Sequence, residues 1–212
     1  MRIVPTFFRL CPVQIRQAVP KLLLVFSLVL LSACASGPSK SGEDAIVVGA
    51  QDAIAIHPSV EQDFQEALAL LKAKKYAQAI TLLESIVRTE NRVTAPFVNL
   101  GIAYMRIGEM EKAEQNLLKA VSLDPAHPIA NNELGLLYRK TGRFAMARNV
   151  YEKTLKIYPD FLPVRKNLAI LCDIYLGDLD CALSQFQKLA EELPEDEKLK
   201  IWIAELKARK AR

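Results

Sequence analysis

Residues suited to catalysis and metal binding are scarce in this chain. Histidine occurs twice in 212 residues, at His57 and His127, and neither has the second histidine four positions away that a helical zinc site uses. The eight glycines form no phosphate-cradling loop, and no serine stands in the Gly-x-Ser-x-Gly setting of an exposed nucleophile. One tryptophan, eleven prolines and eight glycines exclude collagen-like and aromatic-rich designs. A surplus of one charge is missing as well. Arg2, Arg9, Arg16 and Lys21 are the only charges before Cys34, so 28 basic residues less these 4 leave 24 against 24 acidic ones beyond it. A neutral remainder without a basic cluster has no electrostatic basis for nucleic-acid binding. Carboxylates such as Glu109, Glu111 and Glu114 fall on helix faces expected to be solvated. No catalytic residue, metal or cofactor is therefore expected, and the 51% hydrophobic and 25% charged positions fit one soluble domain.

What is present begins with an address. A basic leader reaches Lys21, and Leu22 to Leu31 follow without charge, with only Ser27 interrupting the aliphatic run. Ten residues fall short of the roughly 20 that span a bilayer, but they match the apolar core of an export signal. The stretch Leu31-Ser32-Ala33-Cys34 resembles the bacterial lipoprotein signal. That resemblance implies removal of residues 1–33 and a covalent lipid on Cys34. Ala35, in place of the Asp that retains such proteins at the inner membrane, implies anchoring in the outer membrane, facing the periplasm. A plain cleaved signal, with no role for Cys34, is the alternative. Residues 34–59 then form a tether, small and polar through Asp44. About 25 flexible residues would reach about 25 to 30 Å. The weakly apolar stretch from Ala45 to Ile56 also suits docking on the domain, and the residues leave that choice open.

The remainder is periodic. Ala79, Ala113, Ala147 and Ala182 are 34, 34 and 35 residues apart. Ala67, Gly101, Gly135 and Ala169 keep step before them, Leu83, Leu117, Tyr151 and Phe186 after them, and Pro125, Pro159 and Pro194 close the last three units. Each unit reads as two amphipathic helices joined by a tight turn. In the second, Phe97, Leu100, Gly101 and Tyr104 share one face and Ala113, Leu117 and Ala120 oppose it across a turn at Gly108. Small residues at the crossing let the two backbones approach, and proline stops the second helix. Beyond Pro194, Leu199, Trp202, Ile203 and Leu206 form one stripe that suits a lid on the last unit.

This pattern resembles the tetratricopeptide repeat over residues 60–194, in units of about 60–93, 94–127, 128–161 and 162–196, with a capping helix over 195–212. Asn131 and Thr154 depart from the signature in the third unit, and Asp63, Glu66 and Asn91 in the first. The resemblance implies an all-α, right-handed superhelical solenoid of about four helix hairpins, with an inner groove lined by each unit's first helix. The corresponding positions are Val98, Ile102, Met105 and Arg106, then Asn132, Leu136, Arg139 and Lys140, then Lys166 and Ile170. Such a lining suits an extended peptide or a partner helix. For Ile102 and Leu136, packing against the neighbouring unit explains the residue equally well. Lys166 and Asn132 alone do not reproduce the family's clamp for chaperone tails.

The fourth unit carries one extra residue between Ala169 and Ala182, which either a π-bulge or a longer turn would absorb. Cys172 and Cys181 flank that turn. In an exported protein they are expected to pair, at roughly 2 to 3 kcal/mol for a loop of about ten residues; two unbridged core thiols are the alternative. Lipoproteins with similar repeats act as pilotin-like factors for type IV pili, in outer-membrane assembly machines and with peptidoglycan hydrolases. The resemblance thus implies an envelope adaptor that binds proteins or peptides. A cell-wall enzyme or carbohydrate-binding accessory would need paired carboxylates or stacked aromatics that the pattern lacks.

Overall fold

The computed structural model describes residues 58–212, and every regular element among them is helical. The leader, Cys34 and the Ala45–Ile56 stretch lie outside the described residues. Four antiparallel pairs follow one another: α1 (Pro58–Lys72) with α2 (Tyr76–Thr89), α3 (Thr94–Ile107) with α4 (Met110–Leu123), α5 (Pro128–Lys140) with α6 (Phe144–Ile157), and α7 (Leu162–Ile170) with α8 (Leu179–Glu192). A last helix, α9 (Glu197–Lys210), packs on α8. First helices of successive units approach one another more closely than second helices do, so the stack curves with α1, α3, α5 and α7 on its inner side.

Sterics at the helix crossings explain the repeated small residues. A Cβ on Gly101 would lie 2.5 Å from Cγ of Leu117, and one on Gly135 would lie 2.2 Å from Cε1 of Tyr151. Each glycine is thus filled by the large residue of the opposing helix, which is itself fully buried. The hairpin turns share a second requirement. Gly108, Gly142 and Gly177 adopt φ of 87°, 76° and 64°, and Lys74 holds the same turn in the first unit at φ 59°. Only Lys74 carries a side chain there, in a conformation that costs an L-residue roughly 1 to 2 kcal/mol.

Departures from the repeat signature have local explanations. Asn131, where an aromatic is usual, donates from Nδ2 to the carbonyls of Pro125 and His127, both at 3.0 Å, and so ties down the loop that enters α5. Thr154 is buried and satisfies its hydroxyl on the Val150 carbonyl at 2.8 Å. Asp63 and Glu66 are exposed on α1, whose buried side is Phe64, Ala67, Leu68 and Leu71. The extra residue of the fourth unit is taken up in a widened π turn, Leu171–Leu176, that continues α7, while Gly177 keeps the turn position it has in other units.

Ion pairs bridge units. Arg143 reaches Glu114 at 2.6 Å, and Arg148 reaches Asp178 at 2.9 Å. Glu114 is therefore half-buried and paired, not solvated as its helix face had suggested, whereas Glu109 and Glu111 are exposed. The lid is held by both kinds of force. Leu199 and Leu206 are buried, Trp202 meets Phe186 with ring centroids 5.2 Å apart, and Arg209 pairs with Asp173 at 2.5 Å. Asp196 starts α9 by accepting from the Lys198 and Leu199 amides.

Candidate peptide-binding groove

The inner surface follows from where each first helix points. Positions 98, 102 and 105 on α3 correspond, one period later, to 132, 136 and 139 on α5, and one period earlier to 64, 68 and 71 on α1. On α1 and α3 these are Phe64, Leu68, Leu71, Val98, Ile102 and Met105, each no more than 8% exposed. Val98, Ile102 and Met105, expected as groove lining, are thus packed residues in this structure, and Arg106 next to them is half-buried. Size and polarity change on the next two helices. Leu136, Arg139 and Ile170 are half-buried, and Lys140 and Lys166 are exposed.

Asn132, expected to meet a partner, is only 3% exposed and spends its amide inside the protein. It donates to Glu133 Oε1 at 2.9 Å and accepts from Asn167 Nδ2 at 2.8 Å, which links the third unit to the fourth. A buried amide between two polar neighbours satisfies them both, and this explains why the position is polar. Glu133 itself is the buried acid of the inner layer. Burial pushes its carboxyl up to about 7, against the opposing effects of the Asn132 hydrogen bond and of Arg106 and Lys140. Neither Glu133 nor Asn167 stands out in the sequence, because a single polar residue in an amphipathic helix reads as solvent-facing.

The open half has further members. Arg139 lies 5.8 Å over the Tyr175 ring, and that ring meets Phe144 at 5.0 Å. Ile174 and Tyr175, in the π turn, are 67% and 44% exposed, an unusual level for residues of their size beside a helix-hairpin turn. The widened turn re-aims them, and the one-residue lengthening was its only trace in the sequence. Leu136, Arg139, Lys140, Lys166, Ile170, Ile174 and Tyr175 thus leave apolar and cationic side chains accessible over α5, α7 and the π turn. Such a surface can hold a peptide by apolar contact while its cations meet carboxylates.

Below it, Cys172 and Cys181 are joined in a disulfide with Cα atoms 5.9 Å apart. Asp178 lies close to both sulfurs, within 4.8 Å, but their bond to each other leaves no thiolate for a metal. Asp178 caps α8 by accepting from the Cys181 amide at 3.0 Å, and that bond together with Arg148 holds its carboxyl below the usual range. Among the described residues, no helix is long and apolar enough to cross a membrane.

Comparison with known proteins agrees with this architecture. Residues 91–160 match the family model described as tetratricopeptide repeat. A probable UDP-N-acetylglucosamine–peptide N-acetylglucosaminyltransferase of Solanum lycopersicum is 28% identical over 102 residues, 48% of this chain and 11% of that protein. The match thus spans about a tenth of that relative's length. The photosystem I assembly protein Ycf3 of Prochlorococcus marinus is 26% identical over 140 residues, covering 55% of this chain and 81% of that protein. Among solved structures, pilF of Pseudomonas aeruginosa superposes with a TM-score of 0.65 at 17% identity, over 72% of this chain and 69% of that one, a likeness of fold.

Proposed function

We propose that this chain, whose residues 91–160 match the tetratricopeptide repeat, is a non-catalytic adaptor, held to the outer membrane by a lipid on Cys34 and facing the periplasm. It takes an extended peptide or partner helix on the open half of the groove and works in assembly of an envelope complex such as a type IV pilus or secretion system. One observation carries the binding role. Lys140 and Lys166 stand exposed beside half-buried Leu136, Arg139 and Ile170 on the inner helices. The partner expected from that chemistry has acidic residues flanking an apolar strip. The anchor is supported by the Leu31–Cys34 sequence and by Ala35 after it. The pilus reading is supported by the fold shared with pilF, and the assembly role by the name of the Prochlorococcus relative.

Crosslinking in cells, followed by identification of captured proteins, tests the groove. Arg139→Glu with Lys166→Glu is expected to abolish capture while the helical signal and the melting transition stay as they are. Equal capture by this variant would reject the surface. The anchor has its own test. Cys34→Ala is expected to remove palmitate incorporation and release the protein from the membrane fraction; retention without Cys34 would reject lipid anchoring.

A further inference from the structure

We propose that α9 is the far wall of the partner-binding groove as well as a lid. Resting on the accessible half of the groove as the binding surface, the ligand that fits α5, α7 and α9 together is an amphipathic α-helix with acidic residues on both sides of its apolar stripe. Packing sets α9 in the row of first helices. Its buried Leu199 and Leu206 lie 35 residues after Val164 and Leu171, which lie 34 after Ala130 and Leu137, and all six are at most 3% exposed. The longer step is the extra residue of the π turn. α9 packs on α8 as α7 packs on α6 and α5 on α4. Arg209 and Lys210, in its last turn, reach back to Asp173 and Asp180 on either side of Gly177.

In that register the groove positions 132 and 136 of α5 recur as Lys166 and Ile170 on α7 and as Ile201 and Glu205 on α9. Ile201 is 58% exposed, although Leu199 and Leu206 of the same helix are buried against α8. Capping the stack does not require it. One exposed aliphatic residue is ordinary on a protein surface, but Leu136, Ile170 and Ile201 make a row across three inner helices. The row ends the apolar floor on a helix that the repeat signature does not reach.

Charge chooses the form of the ligand. Lys166 stands one helical turn before Ile170, and Lys140 one turn after Leu136, so exposed cations flank the row on both sides. Four residues rise about 6 Å, which puts the two flanks about 12 Å apart, the width of an α-helix with its side chains. Such a helix sets its apolar stripe on the row and turns acids from both edges toward the lysines. An extended segment is too narrow to meet both flanks, since strands pair at about 5 Å. Inner helices packed about 8 to 10 Å apart make the row about 18 Å long, or about 12 residues of ligand helix. At α9 the sign changes. Asp173 is neutralised by Arg209, but Glu205 is exposed one turn after Ile201, so the ligand's end over α9 carries a basic residue.

The test titrates the full chain with two fluorescent synthetic peptides of one composition, Leu, Glu and a single Lys at one end. In the first, Leu recurs at helical spacing with Glu on both edges; in the second, Leu and Glu alternate. The first should bind at least tenfold more tightly and gain helical circular dichroism on binding. Ile201→Ser should weaken that binding about tenfold, as loss of a buried aliphatic contact does, and Ile201→Met should restore it. Both variants should melt with the parent, because the side chain is exposed. Glu205→Lys should lower affinity for the first peptide and raise it for a copy ending in Glu. Equal binding of the alternating peptide, parent affinity in Ile201→Ser, or no binding by the helical peptide each overturns the proposal. Cellular crosslinking separates this claim from the proposed function. Capture abolished by Arg139→Glu with Lys166→Glu but untouched by Ile201→Ser would remove α9 from the groove and leave the adaptor standing; capture unchanged by both would reject the groove itself.

Discussion

The first two units and the last two share one backbone plan and differ in what they do with its inner surface. In α1 and α3 the groove positions are aliphatic or aromatic and buried; in α5 and α7 they include Asn132, Arg139 and Lys166 and stay largely accessible. The halves also differ in how they are held. The first two units rely on apolar packing, with the Tyr104 hydroxyl bonded to Glu84, whereas the last two add the amide link between Asn132 and Asn167, the Arg148 pair and a disulfide. A repeat's period specifies how helices stack. The side chains left over from stacking specify which part of the surface is available, and in this chain that part lies toward the C-terminus.

Crossing contacts offer the largest test of this division. Gly135→Ala would drive a Cβ into the rigid, fully buried ring of Tyr151, and a loss of about 3 kcal/mol is expected. Gly101→Ala meets the more adaptable Leu117 and should lose about half as much in denaturant unfolding. Equal losses would show that the two crossings are packed alike. Next comes the disulfide. Replacing Cys172 and Cys181 together with Ser should cost about 2 to 3 kcal/mol. Faster hydrogen exchange should then appear in α7 and α8, and α1 to α4 should be unaffected, as nearest-neighbour coupling in a solenoid requires.

Glu133 separates the halves by pH. Its folded carboxyl titrates at about 7 against a usual 4.5, so between these values the folded state binds the proton that the unfolded state has released. Stability from this group is therefore full below about 4.5 and falls as pH rises toward 7. Glu133→Gln keeps an acceptor for Asn132 and removes the titration. It should raise stability at pH 8 by about 1 to 2 kcal/mol and flatten the dependence of melting temperature on pH between 5 and 7. A variant with the parent's slope would show that the carboxylate is solvated. The smallest effect lies in the first turn. Lys74→Gly removes the strain of φ 59° and should add about 0.5 to 1 kcal/mol, which would bring that hairpin into line with the turns at Gly108, Gly142 and Gly177. A lowered melting temperature would reject it.

Much of the fold was legible because stacking is a local, repeated problem. Gly101 against Leu117 and Gly135 against Tyr151, the positive-φ turns at the glycines and the stripe of Leu199, Trp202 and Leu206 all follow from spacing and residue size. The groove was less legible. Val98, Ile102 and Asn132 occupy lining positions yet are enclosed, while Ile174 and Tyr175 join the accessible surface through a turn whose geometry their spacing does not show.

By itself, the amino-acid order determined the all-helical repeat, its period and the places where two backbones touch, since each depends on residues a few positions apart meeting at fixed helical spacing. Tertiary structure alone decided that the inner surface is closed over α1 and α3 and open over α5 and α7, and that Glu133 is a buried acid. Exposure and proton affinity are sums over everything that surrounds a side chain, and those surroundings exist only once the units have stacked.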